Sequence, residues 1–422
     1  MKKFEYLVVG GGVAGFTAVE TLRQHEPTAP IAIINKEPYS LYSRVMLSKP
    51  EFFLGKIPFD KIWLRENDWY KNHNVAFIGG KTATDLDPKN KIVSLSDGSQ
   101  IQYEKLLIAT GVEPRPWNVT GSGKKGIYCL RTLEEGKAIM EGIKSAKRAA
   151  TVGGGFISFE MADLMKLAKL DTTVIIRESY FWEPMLDEDS GKMIEKALEA
   201  NGIKIIKNAE VLEINGASNK AEEVVLKNGE RLPCDMIICG IGVVSPLDWL
   251  KSSKIEINKG ILADEYLRTS LPDIWVAGDI AEYRDLLLEE TVQMGNWVSA
   301  REQGRIAGLN MAGLKQPFKF VSFYTTQGMG ISVAFIGDVR PLPDRIIIKR
   351  GSPEINSYAR LLIVGKELVG ATLINRTGDL GAIARLIENN VDVSQKHKEL
   401  ADPDFDLKSL IVKDLKEIIL PS

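Results

Sequence analysis

The chain has 422 residues, 44% apolar and 26% charged, with a formal net charge of -2. That length exceeds one compact core, so two or three domains are expected, and the near-neutral balance gives no electrostatic footprint for nucleic acid or a membrane surface. No apolar run approaches the roughly 18–20 residues needed to span a bilayer, and three cysteines without CxxC spacing supply neither a disulfide framework nor a zinc or iron–sulfur site. A local basic patch for an acidic protein partner stays open.

The opening MKKFEYLVVGGG passes from two lysines straight into a glycine turn, without the longer apolar stretch and cleavage site of a signal peptide. A cytoplasmic protein is expected. Residues 5–9 read as a buried strand, followed by Gly10-Gly11-Gly12-Val13-Ala14-Gly15, a helix to about His25 and a second strand at 31–34. This order of strand, GxGxxG, helix and strand within ~30 residues is the context that makes the motif informative. One glycine makes the tight turn, the next lets backbone approach a pyrophosphate, and the third lets helix and strand pack closely. The phosphate charge then rests on free N–H groups at the helix N-terminus. Glu37, just past the second strand, stands where a carboxylate binds ribose hydroxyls.

A second copy follows. Strand 149–152 leads into Gly153-Gly154-Gly155, a helix, and a strand over 172–178 ending in Arg177 and Glu178. Here Ser158 replaces the third glycine. Each copy continues into an alternating hairpin, turning at Asp97-Gly98 in one and Asn228-Gly229 in the other. Both dipeptides predict two-residue hairpin loops. The strands that follow end at Gly111 and at Gly240 and Gly242. A repeated order of elements argues for two related dinucleotide domains.

Beside GGGVAG stand LLIATGVEPRP at 106–116, LPDIWVAGDIAE at 271–282, EPYSLYSRVMLSK at 37–49, YCLRTLEEG at 128–136 and GNWVSAREQGRIAGLNMAG at 295–313. Together these resemble the FAD-dependent pyridine nucleotide oxidoreductases, and within them the ferredoxin, rubredoxin and nitrite-reductase branch that lacks a redox-active cysteine. The resemblance implies an α/β fold of two Rossmann-like dinucleotide-binding domains plus a small α+β C-terminal domain. The FAD domain would be discontinuous, 1–112 and 240–314; the NAD(P)H domain would cover 113–239, and an interface or dimerisation domain 315–422.

Carried over by position, the resemblance puts Gly10, Gly12 and Gly15 on the FAD pyrophosphate and Glu37 on the adenosine ribose. Arg44, Lys49 and Arg131 would line the flavin, Ala83 would meet adenine through its main chain, and Asp279 would bind the ribityl chain. Thr110, Gly111, Gly242 and Gly278 would also line the cofactor sites. The helix beginning near Trp297 would aim its N-terminus at the flavin edge that becomes negative on reduction. Gly153, Gly155, Arg177 and Glu178 would hold the nicotinamide nucleotide. Lys49 and Glu160 would pair as catalytic residues beside the reacting flavin and nicotinamide; taken singly, Glu160 serves equally as a helix N-terminal acid and Lys49 as a solvated lysine. Tyr324 would stand next to the flavin or belong to the core.

Departures narrow the chemistry. Where thiol-dependent branches carry cysteines, this chain reads Ser40, Leu41, Tyr42 and Ser43. Cys234 and Cys239 have CxxxxC spacing, but five strand residues span ~16 Å and a disulfide needs Cα atoms within ~7 Å. Electrons would therefore leave directly for an external carrier: rubredoxin, ferredoxin or a metalloenzyme of the nitrite-reductase type. Two alternatives stay open. One is an NADH oxidase or diaphorase reducing oxygen or quinones; the other is an apoptosis-inducing-factor-like nicotinamide sensor. Arg177, with Glu178 next to it and Glu183 six residues on, is an ambivalent ribose site leaning to NADH, with NADPH use open. The three histidines carry no partner motif, and no metal is expected. A homodimer stays open.

From about 318 several short strands and a helix over 378–390 predict the small α+β domain. Residues 401–422 read as a docking helix or a tail.

Overall fold

The computed structural model describes residues 1–66 and 68–411. The chain divides into two compact units. One comprises residues 1–45, 58–113 and 243–322; the other comprises, of the described residues, 46–57, 114–242 and 323–411.

The first unit is built on a seven-stranded sheet. Its parallel strands run in the order Val75–Gly79, Ile31–Asn35, Lys2–Val9, Gln100–Ile108, with Ile274–Val276 beyond. Ile31–Asn35 is buried along its whole length, as a parallel strand covered on both faces must be. Helices Val13–His25 and Trp297–Met311 approach backbone to backbone. A Cβ on Gly304 would lie 2.1 Å from the Ala14 carbonyl oxygen, and one on Gly308 2.9 Å from that of Ala18.

The second unit repeats the plan. Its parallel sheet has the order Lys204–Ile206, Asp171–Ile175, Arg148–Val152, Met236–Cys239, Ile127–Tyr128. The C-terminal stretch forms a five-stranded antiparallel sheet, Phe323–Gly328 to Glu367–Ile374 among its members, with helix Leu380–Glu388 against it. One apolar cluster joins Phe159 and Trp182 to Val333 and Phe335, so this sheet shares a core with the nucleotide half of its unit. The docking helix or tail expected over 401–422 lies, from residue 412, outside the described residues. No helix among the described residues is long and apolar enough to cross a membrane.

Both hairpins correct the expected two-residue loop. Ser94 pairs with Gln100 and Leu95 N–H donates to Ser99, leaving Ser96, Asp97 and Gly98 as the loop. Val225 pairs with Arg231 and Leu226 N–H donates to Glu230, leaving Lys227, Asn228 and Gly229. In each the glycine takes a left-handed φ, +80° and +88°. A third loop residue in that conformation makes a bulge that restores strand twist, the next most common solution after a two-residue turn.

Candidate functional site

In the first unit, strand Lys2–Val9 ends at Gly10, whose φ is +121° and whose Cβ would lie 2.1 Å from the Ala109 carbonyl oxygen. Gly12 caps helix Val13–His25, and nothing lies within 4 Å of where its Cβ would be. That open face, over a helix N-terminus with no acidic residue in its first turn, is the place for a pyrophosphate. Gly15 closes the turn from inside, its Cβ position 1.9 Å from the Gly10 carbonyl oxygen.

A small cavity at this turn is lined by Gly11, Gly12, Asn35, Tyr42, Arg44 and Trp297, among others. Glu37 is buried beside it; its carboxylate accepts from Tyr42 Oη at 2.8 and 3.0 Å and from Arg44 at 2.5 Å. Thr110 Oγ1 is buried without a hydrogen-bond partner. Gly111 has φ +68°, and Ala83 is buried at the start of its strand. Gly278 N–H donates to Gln303 Oε1 at 2.8 Å. Asp279 lies against Gly295, where any Cβ would come within 3.1 Å of the aspartate Cγ. Trp297 opens the helix capped by Asn296, whose Oδ1 accepts from Ser299 N–H. An open glycine turn, an orphaned threonine hydroxyl and a buried carboxylate fit the FAD that the resemblance implies.

The second unit repeats the turn. Gly153 has φ +114°, and its Cβ would lie 2.3 Å from the Gly240 carbonyl oxygen, as Gly10 meets Ala109. Gly155 caps helix Phe156–Leu167 with open space before it, as Gly12 does. The Ser158 departure is compensated. Its Oγ occupies a point 2.8 Å from where a Gly240 Cβ would stand. The first unit has a side chain on Ala109 and none on Gly15; the second has one on Ser158 and none on Gly240.

This turn faces a cleft of 660 Å³ lined by Gly153, Gly154, Gly155, Arg177, Glu178 and Ile241, with Arg115 and Trp117. Arg177 points outward, its side chain 77% exposed, and pairs with Glu178 Oε1 at 2.8 Å. Glu178 Oε2 is buried with no partner, 3.5 Å from the Cβ position of Gly154. An unpaired acceptor aimed at the glycine turn suits a ribose hydroxyl. Glu183 Oε2 instead accepts from its own loop, at Ser179 N–H. Gly242 has φ +101° and its carbonyl accepts from Arg115 N–H. Arg131 precedes helix Leu133–Ser145, its N–H donating to Glu135 of the capping box.

Also in the second unit, Lys49 Nζ lies 2.6 Å from Glu160 Oε1. Glu160 is on the second turn of helix Phe156–Leu167, its side chain 2% exposed. The same oxygen accepts from Thr326 Oγ1 at 2.7 Å and, more weakly, from Tyr324 Oη at 3.4 Å. Three donors converge on Oε1 and fix the carboxylate. Burial and the Glu160 charge push the Tyr324 hydroxyl far above its ordinary range, so it stays a donor. One turn along, burial raises the Asp163 carboxyl above its usual range, with Glu51 and Glu160 adding like charge. Sequence reasoning missed Thr326 and Asp163. Thr326 is two residues from Tyr324 on one strand, so both share a face; Asp163 is three from Glu160 on one helix.

A family model described as pyridine nucleotide-disulphide oxidoreductase matches residues 4–304, and one described as reductase C-terminal matches residues 329–411. The assimilatory nitrate reductase electron transfer subunit of Bacillus subtilis is 26% identical over 96% of this chain. The chain spans about half of that relative's length, 52%. The NADH-rubredoxin oxidoreductase of Clostridium acetobutylicum is 27% identical over 97% of this chain and 100% of its own. A crystal structure of a ferredoxin reductase from Rhodopseudomonas palustris superposes with a TM-score of 0.89 at 24% identity, covering 97% of this chain and 99% of that one, which shows the fold. The chain belongs to the pyridine nucleotide-disulphide oxidoreductase family.

Proposed function

We propose that the protein is an FAD-dependent NAD(P)H oxidoreductase that passes electrons to a small carrier protein of the rubredoxin or ferredoxin kind. The observation that carries this reading is the duplicated glycine turn, Gly10 against Ala109 and Gly153 against Gly240, in a chain with no cysteine at 40–43. Two turns provide two dinucleotide sites, and without a thiol relay the electrons leave directly. When bound, FAD supplies two-electron acceptance and one-electron release.

The chain's own residues bind and orient. Gly12 and Gly155 present helix N-termini to phosphate. Glu37 and Glu178 accept from ribose hydroxyls, and Glu178 makes NADH the preferred nucleotide. Asp279 takes the ribityl hydroxyls. Lys49, held by Glu160, fixes a positive charge at the nicotinamide side of the site, and Thr326 sets the carboxylate that holds it. Lys49 and Glu160 are the residues on which we place the catalytic role. Three unbridged cysteines suit a cytoplasmic setting. The domain division 1–112 with 240–314, 113–239 and 315–422 is part of this proposal.

The experiment is anaerobic titration of the FAD-loaded protein with NADH, followed by mixing with rubredoxin, ferredoxin or oxygen. Fast, stoichiometric reduction of a carrier supports the reading. Oxygen consumption that outpaces every carrier tested would replace it with the oxidase reading.

A further inference from the structure

Strands Ile127–Tyr128 and Met236–Cys239 pair in parallel, Ile127 with Ile237 and Tyr128 with Ile238. Continued one residue past its last pair, that register would set Cys129 opposite Cys239. Neighbouring strands run about 4.8 Å apart, inside the Cα window of roughly 4.4–6.8 Å that a disulfide requires. Opposed residues of a parallel ladder share a face, here that of Ile127 and Ile237, which pack with Val152 in one cluster.

That register places the two thiols side by side on one face. A side-chain hydrogen bond between them draws the Cys129 pKa down and, with burial, pushes that of Cys239 up. Cys129 is half-buried and Cys239 buried. Cys234 is set apart: its Sγ lies 3.0 Å from the Met236 carbonyl oxygen, and burial pushes its pKa up to about 12. A partly exposed thiol beside a buried partner is the arrangement of an attacking and a resolving cysteine.

We propose that Cys129 and Cys239 form a reversible disulfide, Cys129 reacting first and Cys239 resolving, and that this bond tunes the nucleotide cleft. The oxidant is a small-molecule disulfide such as oxidised glutathione. Cys129 gives its proton to solvent and its Sγ attacks one glutathione sulfur, forming a mixed disulfide and releasing one glutathione thiolate. Cys239 gives its proton to that thiolate and attacks Cys129 Sγ, releasing the second glutathione as a thiolate that takes back from solvent the proton Cys129 lost. Two protein thiols and one disulfide thus yield one protein disulfide and two glutathione thiols.

The link to the cleft is direct in the chain. Cys239 precedes Gly240 and Ile241, which line the cleft, and the Gly240 carbonyl packs on Gly153. A disulfide holds Cβ atoms about 3.8 Å apart, closer than the ~4.8 Å strand spacing, so closing it draws residue 239 toward the edge strand. This second part rests on the nicotinamide reading of the cleft.

The test treats the FAD-loaded protein with oxidised glutathione, then counts thiols, maps peptides and titrates NADH. The expected result is loss of two of the three thiols, a Cys129–Cys239 peptide, and reversal by dithiothreitol. Cys239→Ser is expected to stop at glutathionylated Cys129, and Cys234→Ser to behave as wild type. A lasting glutathione adduct on wild-type Cys129, or a bridge to Cys234, would overturn the site. NADH affinity is expected to shift by about 5-fold or more on oxidation and not in oxidised Cys239→Ser. A bridge that leaves NADH affinity unchanged overturns the coupling. A reduced protein that binds no NADH overturns the cleft reading, whether or not the bridge forms.

Discussion

Thr326 Oγ1 donates to Glu160 Oε1 at 2.7 Å, the oxygen that also takes Lys49 Nζ at 2.6 Å. A threonine on the strand Phe323–Gly328 thereby fixes the carboxylate that holds the lysine of the LSK segment. Thr326→Val keeps shape and removes the donor. A hydrogen bond to a charged group contributes about 1.5–3 kcal/mol; lost in the transition state, that slows flavin reduction by NADH by ~10- to 150-fold. Thr326→Ser is expected to restore it, with FAD content unchanged in both. Rates equal to wild type would remove Thr326 from the site.

Glu160→Ala leaves Lys49 without its anion and is expected to slow flavin reduction by NADH more than electron release to a carrier. Because Lys49 and Glu160 act through one contact, Lys49→Ala combined with Glu160→Ala should cost less than the sum of the two alone. Stopped-flow traces of the four proteins make the comparison. Strict additivity would mean that the ion pair does no work in the reaction.

The Ser158–Gly240 exchange predicts compensation. Gly240→Ala brings a Cβ to 2.8 Å from Ser158 Oγ, an overpacking expected to destabilise by about 1–3 kcal/mol. Adding Ser158→Gly recreates the Gly15 and Ala109 pairing of the first unit. Chemical denaturation of the double variant is expected to recover most of the loss, despite the ~1 kcal/mol penalty of glycine in a helix.

Glu178 Oε2, buried and unpaired beside Gly154, predicts selection for NADH. Glu178→Ser is expected to weaken NADH by ~10-fold and to bring NADPH level with it, since a hydrogen bond to a charged group is lost and the repulsion of a 2′-phosphate goes with it. Steady-state kcat/KM for both nucleotides reads the ratio directly. An unchanged ratio would take the acid out of the ribose site.

Asp163 carries a pH signature. Its carboxyl is raised from 3.8 mainly by burial, so the folded protein holds the proton where the unfolded chain has released it. Stability from that proton is full below the ordinary value and is lost as pH rises through the folded value. Asp163→Asn should therefore raise Tm at neutral pH and change it little below that window. A Tm difference independent of pH would refute the assignment.

Much of this was legible in the chain. The two glycine turns follow from spacing, because backbone closure leaves few residues that fit; Glu178 was legible only as one half of an ambivalent ribose site with Arg177. Lys49 and Glu160, 111 residues apart, came from resemblance alone, since nothing local to either marks a partner. The hairpin loops were misjudged by one residue: Asp-Gly and Asn-Gly satisfy a two-residue turn and a three-residue bulged loop equally, and strand register decides. Register also hid Cys129 from Cys239. Their contact depends on which strands of a parallel sheet are neighbours, a long-range fact that no spacing encodes.

On the proposed function, nicotinamide electrons pass through bound flavin to a carrier protein. Anaerobic double-mixing stopped flow tests it most directly: NADH first, then oxidised rubredoxin. The account predicts rapid bleaching of the flavin in the first mix and its recovery, matched by rubredoxin reduction, in the second. A flavin that NADH fails to bleach, or one that stays reduced with every carrier and reoxidises only with oxygen, would contradict it.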